Sequence, residues 1–273
     1  MTKKPSRWRS ITAAPHIVWS VMFIVAPLLF VLYYAFTNNE GHFTFENILA
    51  LSEHTETFGL SISLSVIATF FCFLVGYPLA YIIARAPAKT QKILTMLIML
   101  PMWTNLLIRT YSMMAILDDG GLLNTMLRAL DLGTVRIIGT KGAVILGMAY
   151  DYLPYMVLPI ISVISKIDPR VLEAASDLGC NNFRVMTKVV LPLSVSGIIS
   201  GITMVFVPSI STFYISQKLG GGTFELLGDT IERQFQNTTT YNVGAAISLV
   251  MMILILISMA IMNKFSDDDT VVI

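Results

Sequence analysis

Apolar residues fall along this chain in long unbroken runs, not in the strict alternation of half-buried strands or the one-sided stripes of soluble helices. Crossing a hydrocarbon layer about 30 Å thick takes roughly 20 helical residues, and six runs reach that length: 16–36, 58–84, 93–117, 142–165, 193–212 and 243–262. The pattern predicts an all-α, polytopic membrane protein with six transmembrane helices. Between the fourth and fifth runs, residues 166–192 are polar enough to leave the membrane yet patterned enough to fold.

Composition supports this reading. With 55% apolar residues, 13% charged residues and a mean hydropathy of +0.73, the chain carries more apolar surface than a soluble core of its size can use. We therefore expect one transmembrane domain over 1–273, with core helices over 58–262 and the segment 166–192 projecting from it. The basic start, Lys3, Lys4, Arg7 and Arg9, has the charge of a signal peptide. Its apolar run is too long for an h-region and no small-x-small cleavage site follows, so it is read as a retained first span.

Charge distribution gives the expected orientation. Twelve of the eighteen Lys and Arg residues fall at the start, in 85–92, in 166–188 and at Lys264, whereas the alternate loops hold five and Arg109 lies within a span. Basic residues are retained on the cytoplasmic side, so both termini are expected there. The first outer loop, 37–57, holds Glu40, Glu46, Glu53 and Glu56 with no Lys or Arg. Positive-inside sorting accounts for that, and an acidic mouth for cations is the second reading. A net charge of +1 without a basic stripe gives no nucleic-acid partner. Cys72 and Cys180 have no metal-ligand spacing and fall in different environments, and Asp267 to Asp269 read as a solvated end.

The 166–192 segment has its own grammar. Asp168 is placed to cap, and Pro169 to open, a helix whose apolar positions Val171, Ala174, Ala175 and Leu178 recur at helical spacing. Gly179 permits the left-handed residue that ends a helix, and Asn181 can cap a second helix carrying Phe183, Met186 and Val190 on one side. Pro192 is expected to break that helix at the membrane. From spacing alone the segment fits either an amphipathic helix in the lipid interface or a docking lever.

Glu173, Ala174 and Ala175, then Gly179, then Leu191 and Pro192, resemble the EAA signature of binding-protein-dependent ABC importer permeases, with Val189 where the signature has Ile. The resemblance implies a MetI-like permease fold and makes 166–192 the coupling segment seated on a separate ATPase. It also implies an ATPase dimer, a second similar permease subunit, and an extracellular or lipid-anchored substrate-binding protein, in a bacterial cell membrane. Consistently, the chain has no G-x4-G-K-[ST] phosphate loop, so ATP is expected on the partner and no cofactor on this chain. The segments 100–111 and 219–235 are similar to the spermidine/putrescine permeases of that family. Thiamine, ferric iron, sulfate and molybdate permeases share the EAA segment but less of the others.

Candidate pathway residues are the polar and aromatic groups inside the spans, because a charge in hydrocarbon is costly and marks a pathway or a pair. Arg109 and Asp151 lie about eight and nine residues from the outer ends of their runs, at roughly 12 to 14 Å depth if the helices are straight. They are expected either to neutralise each other or to line a path. In the second case Asp151, flanked by Tyr150 and Tyr152 with Trp103, Asn105 and Tyr111 near in sequence or depth, offers a carboxylate and ring faces to ammonium groups. Pro154, Pro159 and Pro208 are places where a broken helix can expose carbonyls, or simple kinks. Gly197 and Gly201 form a small-xxx-small face for close helix contact. The 225–235 stretch reads as an amphipathic gate or docking helix on the outer side. An intramembrane enzyme is disfavoured, since the spans hold no H-E-x-x-H or G-x-S-x-G motif and the three histidines gather near the front. A self-sufficient channel or carrier would have no use for the EAA segment.

Overall fold

In a computed structural model, residues 15–268 are described, with side chains through Lys264; the basic start and the side chains of Asp267 to Asp269 lie outside them. The order is α1 (Pro15–Ala35), a short turn Glu46–Leu49 and a 3-10 turn Ala50–His54, α2 (Thr55–Ala84), α3 (Ala88–Trp103), α4 (Leu106–Leu117) and α5 (Leu122–Ala129). It continues with α6 (Lys141–Ile164), α7 (Pro169–Asp177), α8 (Asn182–Leu193), α9 (Val195–Ile210), α10 (Tyr214–Leu219), α11 (Leu227–Gln236) and α12 (Tyr241–Asp268). Among the described residues the only strand pairing is one isolated bridge, Thr37 to Phe43.

Four of these helices, α1, α2, α6 and α12, are individually long and apolar enough to cross a membrane; α2 counts with the turns before it and α12 through Lys264. The count reaches six when 88–103 with 106–129, and 182–193 with 195–210, are each taken as one bent span. The expected third span is thus not a straight helix over 93–117. It breaks at Thr104 and Asn105, and the two stretches diverge by 93°. The break has local causes. Pro101 removes a backbone donor, Thr104 returns both its N–H and its hydroxyl to the Pro101 carbonyl, and the Asn105 side chain accepts from the Leu107 N–H to start a new helix.

The described residues gather into two compact units, 15–55 with 230–254, and 56–229 with 255–268. The smaller has a core of Ala35, Ala245, Ala246 and Leu249, flanked by Val31, Tyr34, Ile48, Leu51 and Phe235. The larger is built on α6, whose inward residues Met148, Met156, Ile160 and Ile164 are fully buried. Against it lies α9. A Cβ on Gly201 would come within 2.9 Å of the Met156 carbonyl oxygen, and one on Gly197 within 3.0 Å of the Pro159 carbonyl oxygen. The small-xxx-small face is therefore a backbone-to-backbone contact, as expected. Pro154 and Pro159 do not break α6, which is continuous, and Pro208 sits in the last turn of α9. The Pro208 carbonyl, near the end of α9, accepts from the Tyr152 and Ser211 hydroxyls.

Candidate functional site

The segment after α6 forms the predicted helix, glycine turn and helix. Asp168 accepts from the Arg170 N–H at 2.9 Å and Pro169 occupies the first turn of α7. At the other end Gly179 has φ +85°, its N–H donates to Ser176 O, and the Cys180 N–H donates to Ala175 O. This paired arrangement around a left-handed residue satisfies the final carbonyls of α7. Asn181 then caps α8 through the Arg184 N–H at 2.9 Å. Each of these bonds is local, which is why spacing could foretell them.

The apolar positions at helical spacing divide between two surfaces. Leu172 and Ala175 pack on the core, while Val171, Ala174 and Leu178 turn outward. In α8, Val185 and Val190 are buried and Met186 half-buried, but Phe183 faces out. Leu178 is 87% and Phe183 68% exposed, with Glu173 and Gly179 also exposed. Covering an exposed Leu or Phe is worth about 1.5–3 kcal/mol each, so burial of these two against another surface would be favourable. Nor does Pro192 break its helix. A π-turn over Met186–Val190, closed by Leu191 N–H to Met186 O, makes room for the missing donor, and α8 runs on to Leu193. The bend of 74° comes at Ser194.

That bend is tied down. Ser194 is fully buried, its hydroxyl lies 3.1 Å from the Tyr77 hydroxyl of α2, and its oxygen also donates to Leu191 O. Half-buried Leu191 packs on the core, and Pro192 is exposed. Gln91 of α3 donates to Ser165 at the end of α6 at 2.6 Å. Tyr77, Gln91 and Ser194 were not foreseen. Nothing local marks them, because each acts through a partner far away in sequence.

The polar residues in the spans divide into two sets. Arg109 Nη1 lies 3.2 Å from Asp151 Oδ1 and 3.5 Å from the Asp151 carbonyl, with side-chain exposures of 10% and 2%. The ion pair joins α4, just beyond the break, to α6. The Thr110 hydroxyl also faces the carboxylate. Arg109 Nε and Asp151 Oδ1 nonetheless lack a well-aligned hydrogen bond among the described residues. Asp151 therefore meets Arg109 and Thr110 and no open surface. Tyr152 is buried beside it, whereas Trp103, Asn105, Tyr111 and Tyr150 are exposed. The ring of Tyr111 already has a cation near its face, Lys218 Nζ at 5.3 Å from the centroid, with Tyr214 edge-on at 6.1 Å. The larger unit thus presents a covered ion pair and, separately, exposed aromatic groups at the helix break.

A helix does form in the 225–235 stretch, α11, and its start is held by a buried carboxylate. Asp229 accepts from the Leu226 N–H and the Ser216 hydroxyl, and the Leu227 N–H donates to Ser61. Among the described residues no group of His, Cys, Asp and Glu is arranged to hold a metal.

Comparison with known proteins adds a consistent picture. The family described as "Binding-protein-dependent transport system inner membrane component" matches residues 76–270. The spermidine/putrescine transport system permease protein PotB of Haemophilus influenzae is 37% identical over 261 residues, 91% of each chain. Its Escherichia coli K12 counterpart is 36% identical, covering 86% of this chain and 89% of that one. Among solved structures, a permease chain of a bacterial alginate ABC transporter in complex with a periplasmic protein superposes with a TM-score of 0.80 at 18% identity, over 95% of this chain and 93% of that one. A chain of the MetNI methionine ABC transporter gives 0.59 at 16% identity, over 79% and 95%. These structures bear on the fold alone.

Proposed function

This chain belongs to the family of binding-protein-dependent transport system inner membrane components, and from that premise we propose that it passes polyamines of the spermidine/putrescine class inward across the membrane. The permease role follows from the family. The cargo rests on one observation, the 37% identity to a spermidine/putrescine permease along nine-tenths of both chains. In keeping with the family, ATP is bound by a separate ATPase dimer, and this chain carries no phosphate loop of its own. A second, similar permease subunit and an extracellular or lipid-anchored binding protein complete the assembly. Both termini and the 166–192 segment lie in the cytoplasm, in keeping with the Lys and Arg bias of their loops.

The EAA residues carry the coupling. Glu173 offers a charge to the ATPase surface, and Ala174 with Leu178 and Phe183 supplies the apolar contact. Ala175, Leu191 and the Gly179 turn hold the tip rigidly to the bundle, and Pro192 sits in the turn that delivers motion to the bend at Ser194. Nucleotide-driven movement of the tip then rotates α9 against α6. The cargo path runs past the helix break, where Trp103 and Tyr150 offer ring faces and Asn105 an amide to ammonium groups, while Tyr111 keeps Lys218 over its ring. The Arg109 and Asp151 pair, with Tyr152 beside it, positions that break on α6 and keeps the guanidinium's charge from opposing a polycation.

Uptake of radiolabelled spermidine by cells with and without this chain tests the cargo. Uptake should depend on the chain and be competed by unlabelled putrescine. Equal uptake in both strains, or competition by thiamine, sulfate or molybdate instead, would sink the polyamine reading.

A further inference from the structure

The acidic first outer loop takes part in something the transport scheme does not use. Within the smaller unit a cavity of about 650 Å³ opens between the loop after α1 and the start of α12, lined by Tyr33, Tyr34, Asn38, Glu40, Thr239 and Tyr241 among others. Its volume is that of a small-molecule site. Its walls are constructed. Asn38 accepts from the N–H groups of Glu40 and His42, Gly41 takes φ +82°, and the Thr37 to Phe43 bridge closes the base of the loop, so the backbone at Glu40 is set by several bonds. Asn39 donates to Thr239 O at 3.2 Å, tying this loop to the one before α12. Below, the buried Asn47 and Asn242 side chains both donate to Thr37 O, at 2.8 and 2.6 Å.

The chemistry of the lining is one-sided. Three tyrosines contribute, with the Tyr34 and Tyr241 rings edge to face at 5.1 Å and Tyr33 against Tyr34 at 5.4 Å. Glu40 is the one charged residue among those that line the cavity, and it has no ion-pair partner among the described residues. Aromatic faces beside a lone carboxylate, with no Lys or Arg to compete, suit an alkylammonium. Such a ligand would place a charged nitrogen on the carboxylate and its methylenes along the rings. An anion would be repelled by the Glu40 carboxylate, and a neutral ligand would leave that charge without an opposite partner.

We propose that this cavity is a receiving site for primary-amine cations on the outer side of the permease, where cargo rests before it enters the membrane path. The proposal builds on the polyamine reading but concerns a different place from the helix break. Equilibrium binding of radiolabelled spermidine to membrane vesicles bearing the full chain, with no binding protein present, tests it. Glu40→Gln should weaken binding about tenfold through loss of the charge partner, and Tyr241→Leu several-fold through loss of a ring face. Glu40→Asp should retain most of the binding, which guards against a folding defect. The site is overturned if Glu40→Gln binds as the wild type does. That result leaves the polyamine reading standing, because that reading falls only on the uptake measurement.

Discussion

At the scale of single residues, the Arg109 and Asp151 pair decides how the middle of the larger unit is held. Two charges brought out of water attract each other strongly, but removing one strands the other, at a cost of about 3–5 kcal/mol. The pair lies at 3.2 Å with both side chains nearly covered. Asp151→Asn should therefore lower the thermal unfolding temperature of the purified protein in detergent, and Arg109→Gln together with Asp151→Asn should recover much of the loss. An Asp151→Asn protein as stable as the wild type would show that the carboxylate does not anchor α4. Asp151 and Arg109 were legible as unusual from sequence because charges are rare in such runs. Pairing was one of two arrangements the sequence allowed, and that it occurs under cover was not legible, since the break at Asn105 re-aims α4 in a way a straight-helix depth count ignores.

At the scale of elements, Gly179 shows how a backbone angle sets the direction in which α8 leaves α7. A Cβ there would meet nothing within 4 Å, so its only demand is the left-handed conformation at φ +85°. A β-branched residue in that conformation costs about 1–2 kcal/mol, whereas Asn tolerates it. Gly179→Val should leave the protein in the membrane while the assembled transporter hydrolyses ATP with several-fold less uptake per ATP; Gly179→Asn should stay near the wild-type ratio. Equal ratios in all three would contradict the role of the turn. The caps Asp168 and Asn181 and the glycine turn were readable because each bonds within a few residues. Which face packs on the bundle was not: Leu172 and Ala175 turn inward, while Val171, Ala174 and Leu178 stay exposed. Both sets recur at helical spacing, and only the position of the bundle distinguishes them.

For the whole molecule, membership of a binding-protein-dependent transport family makes the chain one component of a larger system, and the exposed Leu178 and Phe183 at one tip leave apolar surface to be covered. Proteoliposomes containing this chain alone should show no ATP-dependent spermidine uptake, and uptake should appear when the partner permease, ATPase and binding protein are supplied. Transport by the isolated chain would contradict the proposal. Helix α1 fits the same scheme, since none of its most apolar 18-residue window is buried within the chain, leaving it to lipid or a partner.

The amino-acid sequence by itself determined the number and approximate extent of the apolar runs, the helix, turn and helix of 168–193, and the close approach promised by Gly197 and Gly201. Hydrophobic length, capping and residue size act over short stretches of chain and leave their marks there. The tertiary structure alone decided that the third run breaks at Asn105, that Arg109 closes on Asp151, that Tyr77 holds Ser194, and that Glu40 shares a cavity with Tyr241. Each of these joins residues or helix directions that only packing brings into register, and no local pattern encodes which distant surface a side chain will meet.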